Sequence, residues 1–136
     1  MRAIIFLAII FFSSCKNINN YSQVKNGKFY YSYYNKLLNE KLVFDIVRTD
    51  SLQTETNENT GAISTFKVKW LSVDTYEVYY LSKSSISADS LLAVQKKGPL
   101  KIKILEVTDD FYTYLATRES VNISFIDTFW LHKNLR

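Results

Sequence analysis

The chain has 136 residues and a formal net charge of +4, with 47% apolar and 22% charged residues. That is the size and make-up of one folded domain, too apolar for a disordered segment. One cysteine and one histidine leave too few ligands for a zinc site and no disulfide framework, so no metal or other cofactor is expected.

The N-terminus has the three-part layout of a secretory signal. Arg2 supplies a positive start, residues 3–12 form an unbroken apolar run, and Ser13-Ser14-Cys15 follows. Ten residues at about 1.5 Å rise cover roughly half of a bilayer core of about 30 Å, so the run is too short for a spanning helix. A cut by ordinary signal peptidase after Ser14 would place bulky Phe12 at a position that wants a small side chain. Phe12-Ser13-Ser14-Cys15 instead resembles a bacterial lipobox, with Phe12 in place of the usual leucine. Acylation of Cys15 makes physical sense of a single cysteine in an oxidising compartment, and several acyl chains hold a protein stably on a membrane without crossing it. The expected division is a lipoprotein signal peptide at 1–14, a lipid-anchored tether at 15–26 and one β domain at 27–136. The tether is polar and rich in asparagine (Asn17, Asn19, Asn20). It lacks the acidic run of surface-exported lipoproteins, which points to the periplasmic face of the outer membrane.

From Gly27 the period switches to two. Strands are predicted at 28–34, 41–49, 52–56, 64–71, 75–82, 100–107, 111–117 and 122–132, with turns marked by Asn26-Gly27, Asn35, Thr49-Asp50, residues 57–61, residues 72–74 and Asp109-Asp110. The clearest alternations are Phe66, Val68 and Trp70 against Lys67 and Lys69, and Leu100, Ile102 and Ile104 against Lys101 and Lys103. Between the fifth and sixth strands, residues 87–99 carry a serine cap, an acid in the first turn, two lysines at the end and then Gly98-Pro99, the signals of one short helix. Leu91, Val94 and Leu92 would pack it on the sheet, either as a plain connection or as a lid over a cavity. The expected fold is all-β, an antiparallel meander of seven or eight strands forming a lipocalin-like open barrel, with a core of Phe29, Phe44, Phe66, Val68, Trp70, Val78, Ile102, Ile104, Tyr114, Ile123 and Phe125.

The chain has no Gly-rich phosphate loop, no nucleophile elbow and no paired histidines at helical spacing, and His132 has no cysteine partner. Asp109-Asp110 reads as a hairpin turn in solvent, where carboxyls keep ordinary pKa values. The expected protein is therefore not an enzyme. Once Arg2 is removed, 16 Lys and Arg face 13 acids, a net +3 that is too slight for a nucleic-acid partner. Lys67 and Lys69 would share an outer face with Glu77, with Lys101 and Lys103 beyond it. Cross-strand pairing explains such a row, and contact with anionic lipid headgroups or polysaccharide is the alternative. Of the ten tyrosines, Tyr30, Tyr31, Tyr33 and Tyr34 fall in one strand and Tyr76, Tyr79 and Tyr80 in another, so rings emerge from both faces; with Phe29, Tyr31 and Tyr33 inside, Tyr30 and Tyr34 stand outside. β-propensity accounts for them, and a contact surface would use them.

Two functions follow. In the first, the protein is a non-catalytic binding or assembly module for an envelope protein or glycan, using Tyr30, Tyr34, Tyr79, Lys67, Lys69, Lys101 and Lys103. In the second, it carries a small apolar ligand inside the barrel against Phe66, Trp70, Tyr114 and Leu91.

Cys15, Asn26-Gly27-Lys28-Phe29, Arg48-Thr49-Asp50, the strand from Phe66 to Leu71, Tyr76-Glu77-Val78, the strand from Leu100 to Val107 and Phe111-Tyr112-Thr113-Tyr114 resemble the small lipoproteins of flavobacteria. The resemblance spans most of the mature chain and implies an envelope lipoprotein without bringing an activity. Some of those proteins carry the name DNA topoisomerase IV, which a secretion signal and a chain too short for an ATP site do not support. Asp50-Ser51-Leu52 and Asp89-Ser90-Leu91 are similar to the short O-glycan acceptor of Bacteroidetes, from which Asp127-Thr128-Phe129 departs at its third residue.

Overall fold

The computed structural model describes residues 21–84 and 87–135; Cys15 and the signal-like segment before it lie outside them. Eight strands follow one another around a closed antiparallel barrel: β1 (Gly27–Asn35), β2 (Glu40–Arg48), β3 (Leu52–Asn57), β4 (Ile63–Trp70), β5 (Thr75–Lys83), β6 (Leu100–Val107), β7 (Phe111–Arg118) and β8 (Ile123–Trp130). Alternation drives the closure. Ile102 and Ile104 are buried while Lys101 and Lys103 are exposed, and Tyr112, Tyr114 and Ala116 of β7 are buried at every second position. Among the described residues no helix is long and apolar enough to cross a membrane.

The two ends of the barrel differ. At one end a single helical turn, α1 (Ser22–Lys25), lies under the strands. One turn is too short to persist alone. Here it is held by Val24, which is fully buried in the same cluster as Phe29, and by a hydrogen bond that the Val24 carbonyl accepts from Arg48. The sequence alone assigns these residues to the polar tether, because one buried apolar side chain among polar neighbours gives no periodic signal. The packed part of the chain therefore includes Tyr21 to Asn26.

At the other end the barrel is loosely joined. β1 and β8 pair only at Tyr30 and Trp130, so the first half of β8 has a strand on one side alone. Two residues expected in the core, Ile123 and Phe125, are each 42% exposed for this reason. Phe44, Phe66 and Trp70 are half-buried. The most deeply buried aromatics are instead Tyr76 and Tyr112, joined by Phe29. β5 and β6 also pair over only four residues, Thr75–Val78 against Leu100–Lys103. The helix α2 (Ala88–Gln95) covers the β5 edge left open, and Gln95 Nε2 donates to the Tyr80 carbonyl at 3.1 Å. Its ends are as the sequence predicts: Ser87 Oγ accepts from the Ser90 amide, and Gly98 turns the chain at φ 73° ahead of Pro99. Leu91 and Val94 are half-buried on it and Leu92 is exposed.

Candidate functional site: the mouth of the barrel

The closed end is filled by a cation. Arg48, the last residue of β2, is 1% exposed. Its Nε donates to Gln53 Oε1 at 2.7 Å, Nη1 to the Val24 carbonyl at 2.9 Å and Nη2 to the Tyr112 hydroxyl at 2.9 Å. The guanidinium carbon lies 4.6 Å from the Tyr76 ring centre and 4.9 Å from that of Phe29. A buried charge needs its donors satisfied, and cation–π contact on desolvated rings adds to that. Gln53 passes the polarity upward, its Nε2 donating to Glu55 Oε1 at 2.6 Å. An uncharged amide thus links a buried guanidinium to an interior carboxyl.

Midway up the barrel are two acids and two phenols. Burial pushes the Glu55 carboxyl above its ordinary value, while the bond from Gln53 and the charge of Arg48 pull against that rise. Tyr31 donates its hydroxyl to Asp127 Oδ2 at 2.7 Å, and burial and then that bond raise its pKa well beyond the usual phenol range. Tyr114 is raised further, chiefly by burial and next by the charge of Asp127. Both phenols therefore stay protonated and serve as donors and walls.

Above this tier the interior opens into a cleft of about 460 Å³ between β1, β2, β3 and β4. Tyr33 and Phe44 form one wall, stacked with ring centres 6.1 Å apart and planes 6° apart. Leu42 extends the apolar surface, while Asn57, Ser64 and Lys83 supply polar groups. Ser64 pairs across the sheet with Glu55, which places the carboxyl tier next to the cleft. Lys83 reaches it because of a bulge. The β4–β5 register shifts between Thr65 and Phe66, so that Lys83 pairs with inward-facing Ser64. Inward positions here remain open: Tyr33 is 41% exposed, and Phe125, which pairs with fully buried Ala116, is 42% exposed.

The residues singled out from the sequence fall in several places. Of the four assigned to an interior ligand, Phe66 lies one inward position from Ser64, edge-on to Tyr80 at 5.2 Å. Tyr114 is in the middle tier, packed at 5.0 Å on Phe129. Trp70 sits at the closed end, 4.6 Å from Tyr76, and Leu91 is on α2 beside β5. These four do not share one cavity. The mouth residues Tyr33, Phe44, Asn57, Ser64 and Lys83 went unselected, since alternation assigns a side to each residue but not a height in the barrel.

The outward set also divides. Tyr30 and Tyr34 are on β1, where the exposed Tyr34 hydroxyl donates to Asn39 Oδ1. Lys67 and Tyr79 pair on β4 and β5, Lys69 pairs with Glu77, Glu77 with Lys101, and Thr75 with Lys103. The expected ion pairs with Glu77 do not form among the described residues. Its carboxylate accepts from the Tyr79 hydroxyl at 2.6 Å instead, while Lys133 is the cation that pairs, with Glu58 at 2.7 Å and Asp45 at 3.4 Å. Asp109 and Asp110 are exposed in the β6–β7 turn and His132 is exposed. No protein-family model, no curated protein and no solved structure matches this chain.

Proposed function

We propose that this protein is a membrane-anchored, non-catalytic binding module of the cell envelope that holds a small amphiphilic ligand in the mouth of its barrel. The observation that carries the reading is the contrast between the two ends. Inward side chains around Arg48 are sealed, whereas inward Tyr33 and Phe125 are about two-fifths exposed. The barrel is therefore a cup with a polar floor. A cleft of about 460 Å³ falls within the roughly 300–1,000 Å³ of small-ligand sites. The apolar part of a ligand fits the Tyr33–Phe44 wall, and its polar end meets Asn57, Ser64 and Lys83.

Anchoring through acylated Cys15, on the periplasmic face of the outer membrane, is consistent with this geometry. Tyr21 is six residue steps from Cys15, a reach of about 20 Å at full extension. Tyr21 enters beside α1, so a lipid there would hold the closed end toward the membrane and turn the mouth to the aqueous side.

The test fills the cup. Ser64→Trp places an indole in the cleft without touching the closed end. A fluorescent fatty-acid analogue should bind the wild-type protein and fail to bind the variant, with thermal unfolding little changed. Equal binding by both proteins, or none by wild type in native mass spectrometry and fluorescence alike, would remove the reading.

A further inference from the structure

Outside the barrel, three clefts run into one another across the face of β4 to β7. The first, about 550 Å³, is lined by Lys67, Lys69, Tyr79, Leu81, Gln95 and Gly98. Gly98 passes it into a second of about 230 Å³ containing Lys97, Lys101, Arg118 and Ser120. Lys101 and Thr117 in turn lead to a third of about 320 Å³ with Thr75 and Lys103. Six cations (Lys67, Lys69, Lys97, Lys101, Lys103 and Arg118) face two acids, Glu77 and Glu119. None of the six forms an ion pair among the described residues, and Arg118 Nε is buried with no hydrogen-bond partner among them. Glu77 accepts from Tyr79 and forms no ion pair with its cross-strand neighbours Lys69 and Lys101, and Asp74 lies close enough to Lys103 to feel its charge, so positive charge stays in excess along the groove. A groove with a marked excess of one sign of charge raises the local concentration of counter-ions.

We propose that this groove binds a strand of acidic polysaccharide bearing carboxylates on successive sugar rings. Charge complementarity sets the sign. The linked clefts set the shape, since a chain can occupy all three and a compact anion only one. Lys67 and Lys69, like Lys101 and Lys103, are two residues apart on a strand, roughly 7 Å, and neighbouring strands are about 5 Å apart. These intervals suit charges repeated along a sugar chain. The Tyr79 ring offers flat apolar contact for the carbon face of a pyranose, Leu81 extends it, and Thr117 offers a hydroxyl. A lipid surface fits less well, because the groove runs from Thr75 and Lys103 beside the closed end to Lys97, Arg118 and Ser120 near the mouth, and a membrane facing the closed end would reach only part of it. The inference stands apart from the proposed ligand in the cup.

The experiment uses the full mature chain, lipidated and held in neutral detergent, titrated calorimetrically with oligogalacturonate and with the methyl-esterified, uncharged form of the same oligomer. Only the charged form should bind. Its affinity should fall at least about tenfold from low to high salt, as screening shortens the reach of surface charges from roughly 30 Å to 3 Å. The exposed-lysine variant Lys67→Gln/Lys69→Gln/Lys101→Gln should weaken it by a similar factor, while Ser64→Trp leaves it unchanged. Absence of binding, equal binding of the uncharged oligomer, or indifference to the triple substitution would overturn the proposal. So would displacement of the oligomer by phosphatidylglycerol doped into the micelles, which would make the face a lipid contact.

Discussion

Replacing Arg48 with methionine tests whether the closed end is held by its buried cation or merely filled by it. Methionine has nearly the reach of arginine and can still pack between Phe29 and Tyr76, so burial changes little. Three donors disappear, leaving Gln53 Oε1, the Val24 carbonyl and the Tyr112 hydroxyl without the contacts they now have at 2.7, 2.9 and 2.9 Å. Hydrogen bonds to charged groups contribute about 1.5–3 kcal/mol each but are not additive, and breaking a buried charged network costs about 3–5 kcal/mol in total. Glu55 also loses the charge that holds its pKa down, so its protonation relieves part of the cost. The net expectation is a loss of about 3 kcal/mol, a large share of a typical stability of 5–15 kcal/mol. In urea with a slope of about 1.5–2 kcal/mol/M, the midpoint should fall by roughly 1.5–2 M, read from Trp70 and Trp130 fluorescence. Arg48→Lys keeps the charge but cannot fork to three acceptors, and should fall between the two. Adding Glu55→Gln to Arg48→Met should cost less than the two single losses together. A methionine variant within about 1 kcal/mol of wild type would refute the argument, because buried charges are sometimes replaceable by well-packed apolar groups.

Other consequences follow from the interior tier. Burial raises Glu55 in the folded state above its ordinary 4.5, so the native protein binds that proton more tightly than the unfolded chain and loses stability as pH rises through the interval. Glu55→Gln should therefore gain on wild type from pH 4.5 upward in urea melts, and a difference that is flat with pH would contradict the assignment. Tyr31→Phe removes the donor to Asp127 Oδ2 and should cost about 1–3 kcal/mol by thermal unfolding. Tyr31, Tyr112 and Tyr114 hold their protons more firmly folded than unfolded, so stability should drop as pH climbs past the ordinary phenol value of 10.0. In a phenolate absorbance titration these three should ionise only with unfolding, whereas early ionisation of all ten tyrosines would show the interior to be wet. Asn122 sits at φ 51° after the short 3₁₀ turn Glu119–Val121, so Asn122→Ala should cost about 1–2 kcal/mol and Asn122→Gly much less.

The strands were legible because period-two alternation and turn residues are local signals. β6 has the predicted limits, and the other seven differ by one or two residues at one or both ends. The capped helix between β5 and β6 was legible for the same reason. What was not legible depends on closure. Arg48 reads as a polar strand end, and only when β2, β3 and β7 meet does it gain Gln53, Tyr112 and α1 as partners. Phe125 alternates as a core residue should and yet is exposed, since β1 and β8 diverge beyond Tyr30 and Trp130. Lys83 counts as outward by parity from Tyr79, and a bulge that no local residue announces turns it to the mouth. Glu77 lies opposite Lys69 as expected, but a tyrosine two residues away on its own strand captured the carboxylate.

With the proposed ligand in the cup, the distribution of polar groups also separates folding from binding within one small barrel. A closed eight-strand barrel has room for side chains or for one small ligand, and this chain divides that space by height. Below, the aromatic rings of Phe29, Tyr76, Tyr112 and Phe129 surround one guanidinium whose three bonds reach β3, β7 and α1, so elements well separated in sequence are fastened there. Above, the same strands continue with less to bury: β8 lacks a partner on one edge, β5 is covered by a helix in place of a strand, and the cleft is bounded by the β3–β4 loop. Had both ends been packed alike, no interior surface would remain for a ligand; had neither been, about 115 residues would lack a core able to offset the entropy of ordering them. Substitutions at Arg48 should therefore act on stability, and substitutions at Ser64 or Lys83 on binding, with little crossover between the two.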